Sequence, residues 1–316
     1  MKKLFFPLVL ACFALASLTA VSCSGTGGKV DLRLKLQEGK TYKLRMVNEQ
    51  NTKMTVHDRE METSQKMATE FAFDVQKVDG AGDATIEVTF QRVSTEMESP
   101  MGKISYNSDN PTEAGHPAVQ AFALMAGQSY TIVISDKGEV KKVDGMQEIM
   151  TRMLDSLNIP DDRMKETMKG QFENMFGEKA TVEMTGQWFG MYPDQPVGVN
   201  DSWSKTVFES SRMPLIVENK WTLQERRDGN AVLGAESVIK TNPDAEPMEM
   251  GQMKLTTNFT GTQTGTYEID ESTGWIVSSR ITQTISGEQR IEGGPAKEGS
   301  MTIPMSMESI ITLEPL

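Results

Sequence analysis

The chain has 316 residues, a formal net charge of −12, 23 methionines, 7% aromatic residues and two cysteines. An acidic body disfavours nucleic acid and anionic lipid surfaces as partners, and two cysteines give no disulfide framework. The length suits one large or two medium domains, each able to bury a core.

Met1-Lys2-Lys3 followed by the apolar stretch "LFFPLVLACFALASLTA" reads as a secretory leader over residues 1–22. It is too short and wrongly flanked to span a membrane. "AVSC" (Ala20 to Cys23) resembles a bacterial lipobox, with Ala20 where Leu is usual. Cys23 is therefore the expected lipidation site, and Cys12 leaves with the leader. Residues 23–28 form a flexible Ser/Gly tether. The expected partner at this end is the membrane, held through two or more acyl chains on Cys23. Ser24 follows the cysteine and no acid precedes Asp31. By analogy with sorting rules, this favours the periplasmic face of the outer membrane over the cell surface.

After the tether most of the chain alternates apolar and polar residues, as in "VDLRLKL" (Val30 to Leu36), "DATIEVTF" (Asp83 to Phe90) and "KATVEM" (Lys179 to Met184). Turns are signalled at "VDGAGD" (Val78 to Asp83), "SDKG" (Ser135 to Gly138), "RDGN" (Arg227 to Asn230) and "ESTG" (Glu271 to Gly274). The pieces recur in one order. "GKTY", "FDVQKVDG" and "GQSYTIVISDKGEV" precede residue 142, and "NDSW", "WTLQERRDG" and "GTYEIDESTGWI" follow residue 199. This predicts two related β-rich halves, 29–142 and 181–316, with Tyr42 matching Trp203 and Gly138 matching Gly274. Gly39, Gly127, Asn200 and Gly265 would hold matching turn positions with positive φ.

Between the halves, residues 143–180 read as a helical insert. Met146, Ile149, Met150, Met153, Leu154 and Leu157 recur at helical spacing, behind a capping box of Asp144 and Gln147. Met164, Met168, Phe172, Met175 and Phe176 mark a second helix with Gly177 as its C-cap. The fold class expected is α+β and mainly antiparallel β: two curved sheets or half-barrels with the insert between them.

Catalytic patterns are missing from the sequence. His57 and His116 sit in polar surroundings without metal-ligand spacing, and no phosphate loop or nucleophile elbow occurs. Ser202-Trp203-Ser204-Lys205 matches Ser-x-x-Lys. That motif needs a helix start, whereas "DSWSKTVFE" alternates like a strand and sends Ser202 and Lys205 to opposite faces. Acidic pairs such as Asp161-Asp162 are abundant but suit a helix N-terminus. Asp155-Ser156-Leu157 fits a loose O-glycosylation pattern set in a helix. "PMEMGQM" and "MTIPMSM" contain Met-x-Met, which copper(I) accepts, yet alternation of Met301, Ile303, Met305 and Met307 suits one apolar strand face better.

The lipobox, "GKTY", "SDKGEVKKVDG" and "VGVNDSW" together resemble Bacteroidota lipoproteins grouped only by a domain of unknown function. The resemblance implies a β-rich exported lipoprotein and supplies no catalytic residues. A looser likeness, in architecture alone, is to the curved half-barrels of lipoprotein carriers. The expectation is a non-enzymatic lipoprotein without a cofactor, which binds an apolar small molecule or an envelope protein. Methionine suits surfaces that accept varied apolar partners. A cavity between sheet and insert is thus expected, lined by Met150, Met164, Met168, Phe172, Met250 and Met305. The alternatives are a scaffold with a filled core, and an envelope hydrolase with an unrecognised acidic site.

Overall fold

The computed structural model describes residues 28–111, 122–156, 177–209, 213–250, 253–293 and 300–316, with short pieces between 161 and 174. The leader, Cys23, His116, Leu157, Met164, Phe172, Met175 and Phe176 lie outside the described residues, as does the side chain of Met250.

The strands are β1 (Thr41–Val56), β2 (Arg59–Val78), β3 (Ala84–Ser99), β4 (Gly102–Asn107), β5 (Ser129–Ile134) and β6 (Val140–Asp144), then β7 (Ser202–Glu209), β8 (Leu215–Arg227), β9 (Asn230–Thr241), β10 (Met248–Met250), β11 (Met253–Asp270), β12 (Ile276–Gly293) and β13 (Ser300–Pro315). Helices α1 (Met146–Ser156) and α2 (Glu178–Phe189) lie between β6 and β7. The fold is mainly antiparallel β, in one open 13-stranded sheet ordered β6-β5-β3-β2-β1-β13-β12-β11-β9-β8-β7, with β4 on β3 and β10 on β11. The strands before α1 thus lie on one side of the β1–β13 pair, and those after α2 on the other.

The two sides share local geometry. Tyr42 pairs with Phe73 across β1–β2, and Trp203 with Trp221 across β7–β8. Gly39 and Asn200, both at positive φ, donate their N–H to Val75 O and Leu223 O. Val75 and Leu223 donate in return to Lys40 O and Asp201 O. The register slips at Val75/Lys77 on one side and at Leu223/Glu225 on the other. Each final turn closes alike, with Ser135 N–H to Glu139 O and Asp270 N–H to Trp275 O.

One expected match fails. Gly265 sits in the middle of β11, opposite Ala235 and Ile281, and makes no turn. By register its counterpart is Tyr130, not Gly127: Ile134 and Ile269 each start a closing turn, and Val88–Tyr130 answers Ala235–Gly265. A Cβ at Gly265 would lie 2.3 Å from Arg280 O, so glycine here permits close strand approach rather than a turn.

Four local expectations are corrected. "VDLRLKL" contributes only a bridge at Val30–Val197. Its alternation is real, since Leu32, Leu34 and Leu36 are buried. However, Leu34 and Lys35 donate to Asp136 O and Thr273 O in two different turns, so the segment cannot continue a ladder. "KATVEM" is helix: Ala180, Thr181, Thr185, Trp188 and Phe189 recur at helical spacing, and the helical region therefore runs past residue 180 to Phe189. The Asp144–Gln147 box does not form, because Gly145 at φ 90° accepts from Ile149 N–H and Asp144 pairs with Lys142. Gly177 opens α2 in extended conformation rather than capping a helix in the left-handed one.

One face of the sheet, hereafter the inner face, carries Leu44 and Met46 of β1 and Phe71 and Phe73 of β2. Helix α1 lays Met146, Ile149, Met150, Met153 and Leu154 into this core. Trp188 and Phe189 of α2 meet Phe71, Phe73 and Trp275 at centroid distances of 5.1–6.2 Å among these rings. Tyr42 stacks on Trp275 at 4.5 Å, joining the two sides. Helix α2 also lies between the edge strands. It packs on β6, and Gln187 bonds Glu209 of β7 at 2.6 Å while Trp203 Nε1–H donates to Met191 O just past the helix.

Candidate ligand-binding face

Register fixes which side chains share rows on the inner face, about 7 Å apart along the strands. One row reads Thr95, Met67, Asn48, Ile311, Ile281, Gly265, Ala235, Trp221 and Trp203. The next begins with Met97 on β3 and is polar from β2 to β7: Gln65, Gln50, Ser309, Gln283, Gln263, Ser237, Asn219 and Lys205. Beyond it come Thr63, Thr52, Met307, Ile285, Gly261, Ile239, Val217 and Val207. Met61, Met54 and Met305 then stand side by side on β2, β1 and β13. A belt of amides and hydroxyls thus crosses the inner face between two apolar zones.

The zones differ in what covers them. The first, next to the helices, is the packed core with Met150 at 2% exposure. The second holds Leu215, Val217, Ile239, Phe259 and Ile285, all buried, with Met213, Met305 and Met307 packed against them. No helix side chain joins this second cluster among the described residues. Around it Met54, Met61, Ile303 and Met301 are half-buried, while their neighbours in sequence on the opposite face are mostly exposed. The described residues expected to line a cavity under the insert are not brought together. Met150 fills the core and Met168 rests half-buried against it, whereas Met305 lies in the separate distal zone.

The belt is bonded sparsely. Gln283 donates to Gln263 at 3.3 Å, Ser309 to Gln283 at 3.5 Å, Gln50 to Thr52 at 3.1 Å and Ser237 to Asn219 at 2.7 Å. In the adjoining row, Asn48 Oδ1 and Thr95 Oγ1 are buried without a partner, as is Thr257 Oγ1 further out. In the rows from Met46 to Met54 the charged inner-face side chains are Lys205 and Glu209, both on edge strand β7 beside α2. Burial pushes the Lys205 ammonium below its ordinary value. Ser202 and Lys205 point to opposite faces of β7, so they cannot act as a nucleophile–base pair.

The outer face behind the belt is charged. A depression of about 440 Å³ there is rimmed by Glu49, Lys66, Glu96, Glu98, Lys103 and Glu308, with Lys66 and Glu49 paired at 2.7 Å. Among the described residues no three His, Cys, Asp or Glu groups converge as metal ligands, and no helix is long and apolar enough to cross a membrane. The two-residue turn His57-Asp58, both at positive φ, joins β1 to β2 and puts His57 at an exposed tip.

The belt escaped the sequence reading, although it left a signal there. Met46-x-Asn48-x-Gln50-x-Thr52-x-Met54 and Met61-x-Thr63-x-Gln65-x-Met67 each change from apolar to polar and back at one parity. Strand register is needed to show that these changes line up.

Residues 81–276, more than half of the chain, match the profile described as Family of unknown function (DUF6263). The chain belongs to this family. No curated protein matches it in sequence. Among solved structures, lipovitellin, described for its lipid–protein interactions, is 12% identical, with a TM-score of 0.45 and 89% of this chain covered. Only 25% of lipovitellin is covered, so this member of the family spans about a quarter of that length. The β domain of the Bordetella autotransporter BrkA is 5% identical over 87% of this chain and 100% of its own, with a TM-score of 0.22. An outer membrane channel from Pseudomonas putida F1 is 8% identical over 90% and 97%, with a TM-score of 0.20. Overlaps this slight assign neither fold nor function.

Proposed function

We propose that this protein is an exported, non-enzymatic lipoprotein of the Bacteroidota type, anchored through Cys23 to the periplasmic face of the outer membrane. It holds an apolar ligand on the distal inner face of its sheet. The observation that carries this reading is the half-buried row Met61, Met54 and Met305, with Met307 and Ile303 beside it, over which no described helix lies. Thioether side chains adapt to guests of varied shape. The outer face supports the same reading, because Arg45, Glu49, Lys53, Glu308 and Arg290 line it and suit water rather than lipid. The Ser-Gly tether would let such a body work at a distance from its anchor. We further propose that the two sides of the sheet descend from one duplicated unit, supported by the shared bulges, turn glycines and aromatic pairs.

The test is lipid uptake by the full mature chain. Native mass spectrometry should show a co-purifying apolar ligand, and a fluorescent fatty acid should bind with saturation. Met54→Asp and Met305→Asp should each weaken that binding at least tenfold with an unchanged far-UV spectrum. A protein that carries no lipid and takes up none would leave the scaffold reading in its place.

A further inference from the structure

Building on that reading, we infer that the ligand is a single-chain amphiphile with an uncharged, hydrogen-bonding head, which docks on the belt while its chain lies along the distal methionines. Two adjoining rows supply the site. Asn48 Oδ1 and Thr95 Oγ1 are buried without partners, and Thr95 is only 2% exposed. Buried polar atoms are rarely left unsatisfied, and each orphan calls for a missing partner. Asn48 offers an acceptor and Thr95 a hydroxyl that can donate or accept. One register step further, Gln50, Gln65, Gln263 and Gln283 add amides whose mutual bonds are few and long. A hydroxyl, ester or amide head can satisfy donors and acceptors together.

A charged head fits badly. Burying a carboxylate or phosphate requires a cation or several converging donors. The belt offers no cation near Asn48, and each of its amides sets an acceptor oxygen beside its donors. Lys205 stands at the far end of the row on β7, and Asp194 and Glu139 already act on it. The chain direction follows from the rows: from the belt, Thr52 and Thr63 lead to Met54, Met61 and Met305.

The experiment compares C16 chains with different heads on the full mature protein, by displacement of a bound fluorescent fatty acid at pH 8. Monopalmitoylglycerol should compete at least tenfold better than palmitate or lysophosphatidylglycerol. Thr95→Val is close in shape, and together with Asn48→Leu it should erase the preference for monopalmitoylglycerol over palmitate. Both variants should unfold no more easily than the parent, since each removes an unsatisfied group. Equal or tighter binding of palmitate would overturn the inference and leave the apolar-ligand reading standing. So would a head preference unchanged in the double variant, which would assign the orphan atoms to water. Failure of every chain to bind would remove both.

Discussion

At the scale of single residues, two glycines carry more of the fold than their turns alone require. Gly138 and Gly274 have φ of 78° and 71°, and a Cβ would fall 1.7 Å from Phe189 O and 1.9 Å from Arg33 O. Each turn is thus pressed against a passing backbone segment. Gly39 has the same φ of 78° but open space around it. Gly39→Ala should therefore cost only the left-handed strain, about 1 kcal/mol. Gly138→Ala and Gly274→Ala add a backbone clash and should cost well above 2 kcal/mol. Urea denaturation of the three variants measures the difference, and equal costs would refute the close approach. The turn signal was plain in the sequence. The pressing segments were not, because Arg33 and Phe189 come from distant parts of the chain.

A second residue-scale effect depends on pH. Arg226 holds Glu271 with two bonds of 2.6 and 2.7 Å and also donates to Gly28 O. The guanidinium keeps the Glu271 carboxyl below its ordinary range. A carboxyl depressed by folding stabilises the protein above its unfolded pKa, and that gain is lost as pH falls through the folded value. Arg226→Met should thus destabilise by about 1–2 kcal/mol near pH 7, and by much less once the pH has fallen through the depressed folded value and Glu271 is protonated. Thermal melts of parent and variant from pH 3 to 8 should converge at the acid end. A gap that stays constant would mean the arginine acts through packing instead.

At the scale of elements, strands were legible because their period is short and their turns are marked. β2–β3, β5–β6, β8–β9 and β11–β12 all close at the expected Gly turns. Helix α1 was legible as well, since its five buried residues follow the 3.6 period. Helix α2 was misread because six residues of "KATVEM" alternate, and only the longer frame through Trp188 and Phe189 reveals the helical repeat. Its packing could not be foreseen either: α2 meets both β6 and β7, the two edges of the sheet, which are remote in sequence. An edge covered by a helix is also protected from pairing with another chain. Half-buried Lys205, pointing inward on β7, adds to that protection.

At the scale of the whole molecule, the sequence suggested two halves but concealed how they join. β1 and β13 pair over Leu44 to Met54, and strands separated by most of the chain become neighbours. The core likewise ignores the division. Trp275 from one side stacks on Tyr42 and meets Phe73 from the other, with Phe189 of α2 in the same group. Neither side can therefore unfold without exposing the ring surfaces of its partner. Equilibrium unfolding should show one transition, in which far-UV circular dichroism and tryptophan fluorescence coincide. Trp275→Ala should lower that single midpoint by the equivalent of about 3–5 kcal/mol, the range for a buried aromatic. Separate domains would respond differently: two transitions would appear, and Trp275→Ala would move one of them and spare the other. The coincidence of probes in the parent and in Trp275→Ala thus decides whether the two sides fold as one body, as their shared sheet and shared aromatic core require.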